Sequence, residues 1–421
     1  MRGGILPSAK SANSPMPLLA PFVALAPPAP LAQRLAAPPY DVVSSAEARR
    51  LAAGNPQSFF RISRPEVDLG PEVDEHAPAV YARGAHNLRL FCEEGWLRPD
   101  AVPGFRLYRQ KMGEHVQTGV VACAAVDGYR DGRIKRHELT RADKEDDRTR
   151  HIDALSANDE PVFLTYRART EVDILVEALT ATAPDVDFAS EDGVRHTVWN
   201  ALGSDAARLA TVLARLQTLY IADGHHRSAA AARVQELRRA RGAAPGEQDW
   251  FLAVVFPHDQ MQILPYHRLV RDLRGLSSET FLASVAERFD VTPTERAEPE
   301  GRHAFGMYLD GRWWRLRARP GSWAETPTSS LDVAILQDNL LRPVLGVEDP
   351  RRDERIGFIG GIHGTQELSA RVDAGSDRVA FALWPTSLDE LMAISDAGDV
   401  MPPKSTWFEP KLRSGLFVHT F

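Results

Sequence analysis

Five consecutive residues, Asp223-Gly224-His225-His226-Arg227, follow the apolar run Thr218-Leu219-Tyr220-Ile221-Ala222 and precede an alanine-rich stretch. That order predicts a strand over 218–222, a tight turn at 223–224 and a helix from about His226. A strand feeding a glycine turn and a helix N-terminus suits phosphate, because free backbone N–H groups and the positive end of the helix dipole aim at one point. Gly224 lets the backbone approach a ligand closely, His225 and His226 add donors, and Arg227 offers a planar fork able to grip phosphate bidentately. Asp223, at the strand end, is placed to bind Mg²⁺ or to orient a histidine. Alternatively, Asp223 caps the helix and the histidines are polar loop residues; so many polar groups at one such turn weigh against that. A zinc site built on the same residues is weaker, since adjacent histidines project in different directions and zinc takes spaced ligands.

Two further stretches carry chemistry. Residues 136–151 read Arg-His-Glu-Leu-Thr-Arg-Ala-Asp-Lys-Glu-Asp-Asp-Arg-Thr-Arg-His. Thr140 and Asp143 resemble a capping box, which starts a helix at Arg141. On that helix Arg141, Lys144, Arg148 and His151 form one cationic stripe, with Glu145, Asp146 and Asp147 off it. Such a stripe beside a phosphate loop would neutralise a triphosphate; the competing picture is a solvated helix laced by Asp146 with Arg150 and Glu145 with Arg148. Near the end, Met401-Pro402-Pro403-Lys404-Ser405-Thr406 is a proline-stiffened loop presenting Lys404 and two hydroxyls, with Lys411 further on. Stiffening lowers the entropy cost of holding Lys404 in place.

Around these motifs the chain has 421 residues, 43% hydrophobic and 25% charged, which is globular composition long enough for two or three lobes. A net charge of -7 gives no general attraction to nucleic acid or acidic membranes, so any anion must be held locally. Two cysteines, Cys92 and Cys123, exclude a disulfide framework and a four-cysteine zinc cluster and fit a reducing compartment. No uninterrupted apolar stretch reaches the roughly eighteen residues a membrane helix needs. The apolar run at 16–20 faintly imitates a secretory signal, but Pro15, Pro17, Pro21, Pro27, Pro28 and Pro30 interrupt it, leaving a Pro/Ala-rich arm over 1–20. The standard nucleotide loops and the Gly-x-Ser-x-Gly elbow are missing.

The remaining elements supply a scaffold. Pro38 and Pro39 make 37–43 extended, and Ser45 caps a helix beginning near Ala46. Residues 81–94 have the spacing of an amphipathic helix, and 119–126 and 162–166 read as strands. Helices are expected over 174–179 and 206–216. Two hairpins are expected, one joining 251–256 to 261–264 and one joining 304–308 to 313–316 around Asp310-Gly311. One lobe then runs over 21–245 and a second over 246–421.

Several motifs in order make the chain similar to a known family: Pro38-Pro39-Tyr40-Asp41-Val42, Asn55-Pro56-Gln57-Ser58-Phe59, Ser63-Arg64-Pro65-Glu66, His137-Glu138-Leu139-Thr140 with Lys144, Asp147-Arg148 and His151, then Asp223 to Arg227 and Met401 to Thr406. On these it resembles, from Phe22 to Leu416, the domain-of-unknown-function family numbered 1015, whose members are described as resembling free serine kinases. The resemblance implies an α/β fold whose mixed-sheet ParB/sulfiredoxin-like core is elaborated into two interleaved lobes. It implies a kinase moving a phosphoryl group from ATP or ADP, with Mg²⁺, to the hydroxyl of free L-serine, and an acidic residue as base. Asp41 is the first choice for that base, with Glu66 and Glu138 as the others and Asp223 and His226 beside them. Gly224, His225, His226, Arg227, Arg141, Lys144, Arg148 and Lys404 would hold donor phosphates, and Tyr40, His137, Ser405 and Thr406 the acceptor. The alternatives are a non-catalytic, ParB-like nucleotide-sensing switch and a phosphoester hydrolase using a metal at Asp223 and His225. The expected setting is the cytoplasm, with neither nucleic acid nor membrane as partner.

Overall fold

The computed structural model describes residues 16–421, so most of the arm expected over 1–20 lies outside the described residues. Its end does not stand apart: Leu19–Ala20 pairs with strand His115–Ala125, and Leu18 and Leu19 are buried.

The architecture is mixed α/β, built on two large sheets. The first runs in the order Ile134–Lys135, Leu219–Asp223, Val162–Tyr166, Trp250–Pro257, His115–Ala125, Phe105–Met112, Arg195–Ala201, Val186–Ala189. Two of its pairings are parallel, Ile134–Lys135 with Leu219–Asp223 and Val162–Tyr166 with Trp250–Pro257; the others are antiparallel. Its central strands are covered on both faces, which is why they read as unbroken apolar runs without alternation. Along one strand Val121 and Cys123 enter one core while Val120, Ala122 and Ala124 enter another. Helices Thr170–Thr180 and Gly203–Leu213 fill the second core with Val172, Leu175, Leu209 and Leu213.

The first core continues into the second sheet, six antiparallel strands in the order Phe289–Thr294, Arg312–Ala318, Ala304–Leu309, Val379–Leu383, Tyr266–Val270, Ile356–Gly360. Phe256 and Val254 of the first sheet share that core with Phe289, Phe305 and Phe381 of the second and with Phe281 of helix Ser278–Ala286. The C-terminal strand Val418–Thr420 returns to lie between Ala24–Ala26 and Ala157–Asn158. The two halves are thus tied together by a common core and by the returning chain end.

Two sequence expectations about this framework need correction. Residues 251–256 and 261–264 do not form a hairpin. Trp250–Pro257 sits in the middle of the first sheet, residues His258–Gln260 form a 3-10 turn, and Gln262–Leu264 pairs with Trp407–Glu409 far along the chain. For the same reason a lobe boundary at 245 falls ahead of a central strand of the first sheet, which extends to Pro257. The other hairpin does form, with Asp310 and Gly311 at φ of 50° and 76°, as a two-residue turn with both residues left-handed requires.

Candidate functional site

The short strand Ile134–Lys135 runs parallel to Leu219–Asp223, so the segments leaving their C-terminal ends, His137-Glu138 and Asp223 to His226, emerge side by side. This edge of an α/β sheet is where ligands characteristically bind. The backbone N–H of Met401 donates to the carbonyl of His137 at 2.8 Å, which brings the proline-stiffened loop to the same edge. Together with the 3-10 turn Tyr40–Val42 and the exposed start of helix Ala142–Leu155, these segments enclose one cleft of about 970 Å³.

Of the residues singled out in the sequence, Tyr40, Asp41, Glu66, His137, Glu138, Arg141, Lys144, Arg148, Asp223, His225, His226, Lys404, Ser405 and Thr406 all line this cleft. Residues from five separated parts of the chain therefore meet. Gly224 forms the turn beneath it at φ 97°, a left-handed conformation in which a side chain is strained, and a Cβ there would lie 3.0–3.2 Å from the Arg227 guanidinium.

Arg227 itself does not face the cleft. Its side chain is buried, Nη1 donates to the carbonyl of Pro161, and Nη2 lies 3.9 Å from Asp223 Oδ1. Carboxylates surround the guanidinium and keep it charged despite its burial, Asp41 first, then Asp223 four residues earlier and the buried Glu160. Asp223 is likewise engaged, since Lys411 Nζ is 3.2 Å from its Oδ2. Burial alone would push the Asp223 carboxyl up, but the Lys411 ammonium and Arg227 guanidinium hold it well below the usual carboxylate range. Mg²⁺ prefers an octahedral shell of oxygens, and a carboxylate already paired with a lysine is a poor start for one, so Asp223 does not fit the metal role expected of it.

The cationic helix is also arranged differently from expectation. The helix is Ala142–Leu155, and no Thr140–Asp143 capping box forms; Thr140 Oγ1 donates to Glu145 Oε2 at 2.8 Å. Instead His226 Nε2 accepts the backbone N–H of Arg141 at 3.1 Å, which joins the two helix starts across the cleft floor. Burial and then Arg141 and Arg227 lower the pKa of His226 against the pull of Asp41, in keeping with this acceptor role. Arg141, Lys144, Arg148 and His151 do share the cleft-facing side, but so does Asp147. Arg148 is committed to Asp147 through Nη2 at 2.7 Å and stacks over the Tyr40 ring at 4.0 Å. Asp147 also receives Tyr81 Oη and meets His76 Nδ1, each at 2.9 Å. Glu145 and Asp146 pair with Arg233 of the neighbouring helix rather than within their own.

The three carboxylates considered as a base differ sharply. Glu66 is buried, with Arg64 Nη1 3.0 Å from one oxygen and Ser45 Oγ 3.1 Å from the same one. Ser45 is free for this because Ser44, one residue earlier than expected, caps helix Ser45–Ala52. Glu138 is half-exposed at the cleft mouth, with burial first and Asp223 second raising its pKa. Asp41 is exposed and makes no side-chain hydrogen bond or ion pair among the described residues. Ser405 is buried and its hydroxyl donates to the carbonyl of Pro402 at 2.6 Å.

Lys404, Lys144 and Arg351 reach the cleft with no carboxylate partner within ion-pair distance among the described residues. The sequence did not point to Arg351, Arg352, His76 or Tyr81, nor to the aromatic wall of Tyr266, Phe358 and Trp407. Lys404 Nζ lies 5.4 Å from the Tyr266 ring centroid, which places the cation against that wall. Pro350-Arg351-Arg352 reads as any charged loop.

Two sheets sharing a core, with a polar, cation-bearing cleft at the C-terminal edge of parallel strands, define an α/β protein equipped to hold an anionic small molecule. More specifically, the chain belongs to the DUF1015 family of proteins of unknown function, whose family model matches residues 19–334. That match stops short of the Met401 to Thr406 loop, which the sequence resemblance had included. Among curated proteins no sequence matches this chain. Solved structures similar to it include a variant of a free serine kinase in complex with AMP, at 13% identity, covering 69% of this chain and 86% of that one with a TM-score of 0.34. A second complex, with ADP, has 14% identity, coverage of 69% and 87%, and a TM-score of 0.33. SbnI with a C-terminal truncation, from Staphylococcus aureus, has 14% identity, coverage of 70% and 85%, and a TM-score of 0.33. Among the described residues no helix is long and apolar enough to cross a membrane.

Proposed function

We propose that the chain is a small-molecule kinase that moves a phosphoryl group from ATP or ADP to the hydroxyl of free L-serine, giving O-phosphoserine. The observation that carries this reading is the convergence of distant motifs on one cleft with unpaired cations and an unpaired carboxylate. Phosphoryl transfer needs chiefly positioning and charge stabilisation, and the cleft offers both. Donor phosphates rest on the backbone N–H groups at the start of helix His225–Ala240, with Lys404, Lys144, Arg141 and Arg351 neutralising their charge. Arg227 acts from behind, fixing Asp223 and the turn. The flat faces of Tyr266, Phe358 and Trp407 suit a nucleotide base. Asp41, exposed in the cleft and free of partners, receives the serine proton; Glu66 is less suited because Arg64 already holds it.

The test is to incubate the purified protein with Mg²⁺, ATP or ADP and a panel of free amino acids, and to look for phosphorylated product by mass spectrometry. O-Phosphoserine supports the kinase. Nucleotide bound and unconsumed selects a nucleotide-sensing switch. Inorganic phosphate without a phosphorylated acceptor selects a hydrolase, a second reading favoured by the two histidines and the glutamate that meet at His137, Glu138 and His225.

A further inference from the structure

His137 and His225 come from two neighbouring parallel strand ends, and their rings meet edge to face with centroids 4.5 Å apart. Both are buried, at 2% and 5% exposure. His137 Nδ1 and His225 Nε2 have no hydrogen-bond partner, an expensive condition for a buried polar atom. Glu138, next to His137, brings a carboxylate oxygen to 3.9 Å from His225 Nδ1. One donor atom from each of the three residues lies within 4.8 Å of the others.

From this geometry we propose that His137, Glu138 and His225 bind a divalent transition-metal ion, of the zinc or cobalt type, with its open coordination positions facing the cleft. Two imidazoles and one carboxylate suit borderline cations and not Mg²⁺, which takes oxygens. Three protein ligands with a vacant position are the arrangement of ligand-binding metal sites, whereas purely structural zinc is closed by four. Tetrahedral bonds of about 2.0–2.1 Å put donor atoms roughly 3.3–3.4 Å apart, so the triad has to contract by about an ångström. Glu138 is half-exposed and its side chain is free to make that movement, while the two histidines are held by burial. All three residues line the cleft that also receives Lys404, so the position left open faces a place where a phosphate or carboxylate oxygen, or water, would complete the shell.

The proposal stands apart from the kinase reading, because metal binding is measured with the metal alone. The full chain is stripped with a chelator, then equilibrated separately with Zn²⁺, Co²⁺ and Mg²⁺, and bound metal is counted after gel filtration while Co²⁺ is followed by its visible absorption. The expected result is one Zn²⁺ or Co²⁺ per chain, no retained Mg²⁺, and a Co²⁺ spectrum of a four- or five-coordinate site. Glu138→Gln and His225→Gln should each weaken binding at least tenfold. If the buried His225 variant fails to fold, Glu138→Gln, at the cleft mouth, decides alone. Absence of stoichiometric Zn²⁺ and Co²⁺ at micromolar concentration, or binding unchanged in Glu138→Gln, overturns the site. Serine phosphorylation by the metal-stripped chain with Mg²⁺ and nucleotide would leave the kinase standing in either case.

Discussion

The pair Lys411–Asp223 offers the sharpest quantitative check on how the cleft is held. Lys411 Nζ is 3.2 Å from Asp223 Oδ2, and the two side chains are only 18% and 25% exposed. At an effective dielectric of about 20, two unit charges at that distance attract by about 5 kcal/mol. Desolvation of both groups opposes this, and Arg227 at 3.9 Å would partly compensate the aspartate if the lysine were lost. Replacing Lys411 by Met should therefore cost about 2–4 kcal/mol of stability, and Asp223→Asn a similar amount. The double variant leaves no unpaired charge, so the singles should not add, and the coupling energy should be about 2 kcal/mol. The assay is urea unfolding of the four proteins followed by tryptophan fluorescence. Because the Asp223 carboxyl is held low in the folded chain, its contribution is complete at neutral pH and is lost only as the pH falls below the carboxylate range. A coupling energy under about 0.5 kcal/mol at pH 7 would mean the pair is solvent-screened and does not tie the C-terminal segment to the turn at Gly224.

Three other outcomes follow from the same geometry. Asp41→Asn should leave nucleotide affinity close to wild type and lower turnover by roughly a hundred- to ten-thousand-fold; turnover within about threefold of wild type removes Asp41 as the base. Gly224→Ala should destabilise the chain by about 1–3 kcal/mol, combining the left-handed penalty with a clash against Arg227, and an unchanged melting temperature would contradict the turn described above. Burial depresses His137 to about 4, His196 to about 3 and His267 to about 4, so between those values and about 6.5 the unfolded chain binds the extra protons and stability rises with pH. Glu160 and Asp332, pushed up to about 7 by burial, work in the opposite sense, but His225 is also lowered and the histidines outnumber them. The urea midpoint should fall between pH 6.5 and pH 5, and a midpoint equal or higher at pH 5 refutes it.

What was legible in the sequence was local. Strand Val162–Tyr166 and the strand, turn and helix around Gly224 announce themselves because both faces of the strands are buried and because a glycine must occupy the left-handed position. The family resemblance gathered most of the cleft residues, which no periodicity would have brought together. What stayed hidden depends on partners distant in the chain. Gln262–Leu264 is too short to declare its mate, and it pairs with Trp407–Glu409 far along the chain, in a two-stranded sheet of its own. The direction of Arg227 depends on the carbonyl of Pro161 and on the charge of Asp41 and Glu160, all outside the Asp223 to Arg227 stretch. Arg351 and His76 sit in polar loops whose sequence carries no positional signal, and only the closed fold places them at the cleft.

The most direct measurement is a crystal structure of the chain grown with ADP and free serine. The account places a terminal phosphate of the nucleotide within hydrogen-bond reach of the backbone N–H groups of His225 and His226 and of Lys404 Nζ, with the serine hydroxyl facing Asp41. Nucleotide bound outside this cleft, or with its phosphates turned away from the His225–His226 turn, would contradict it.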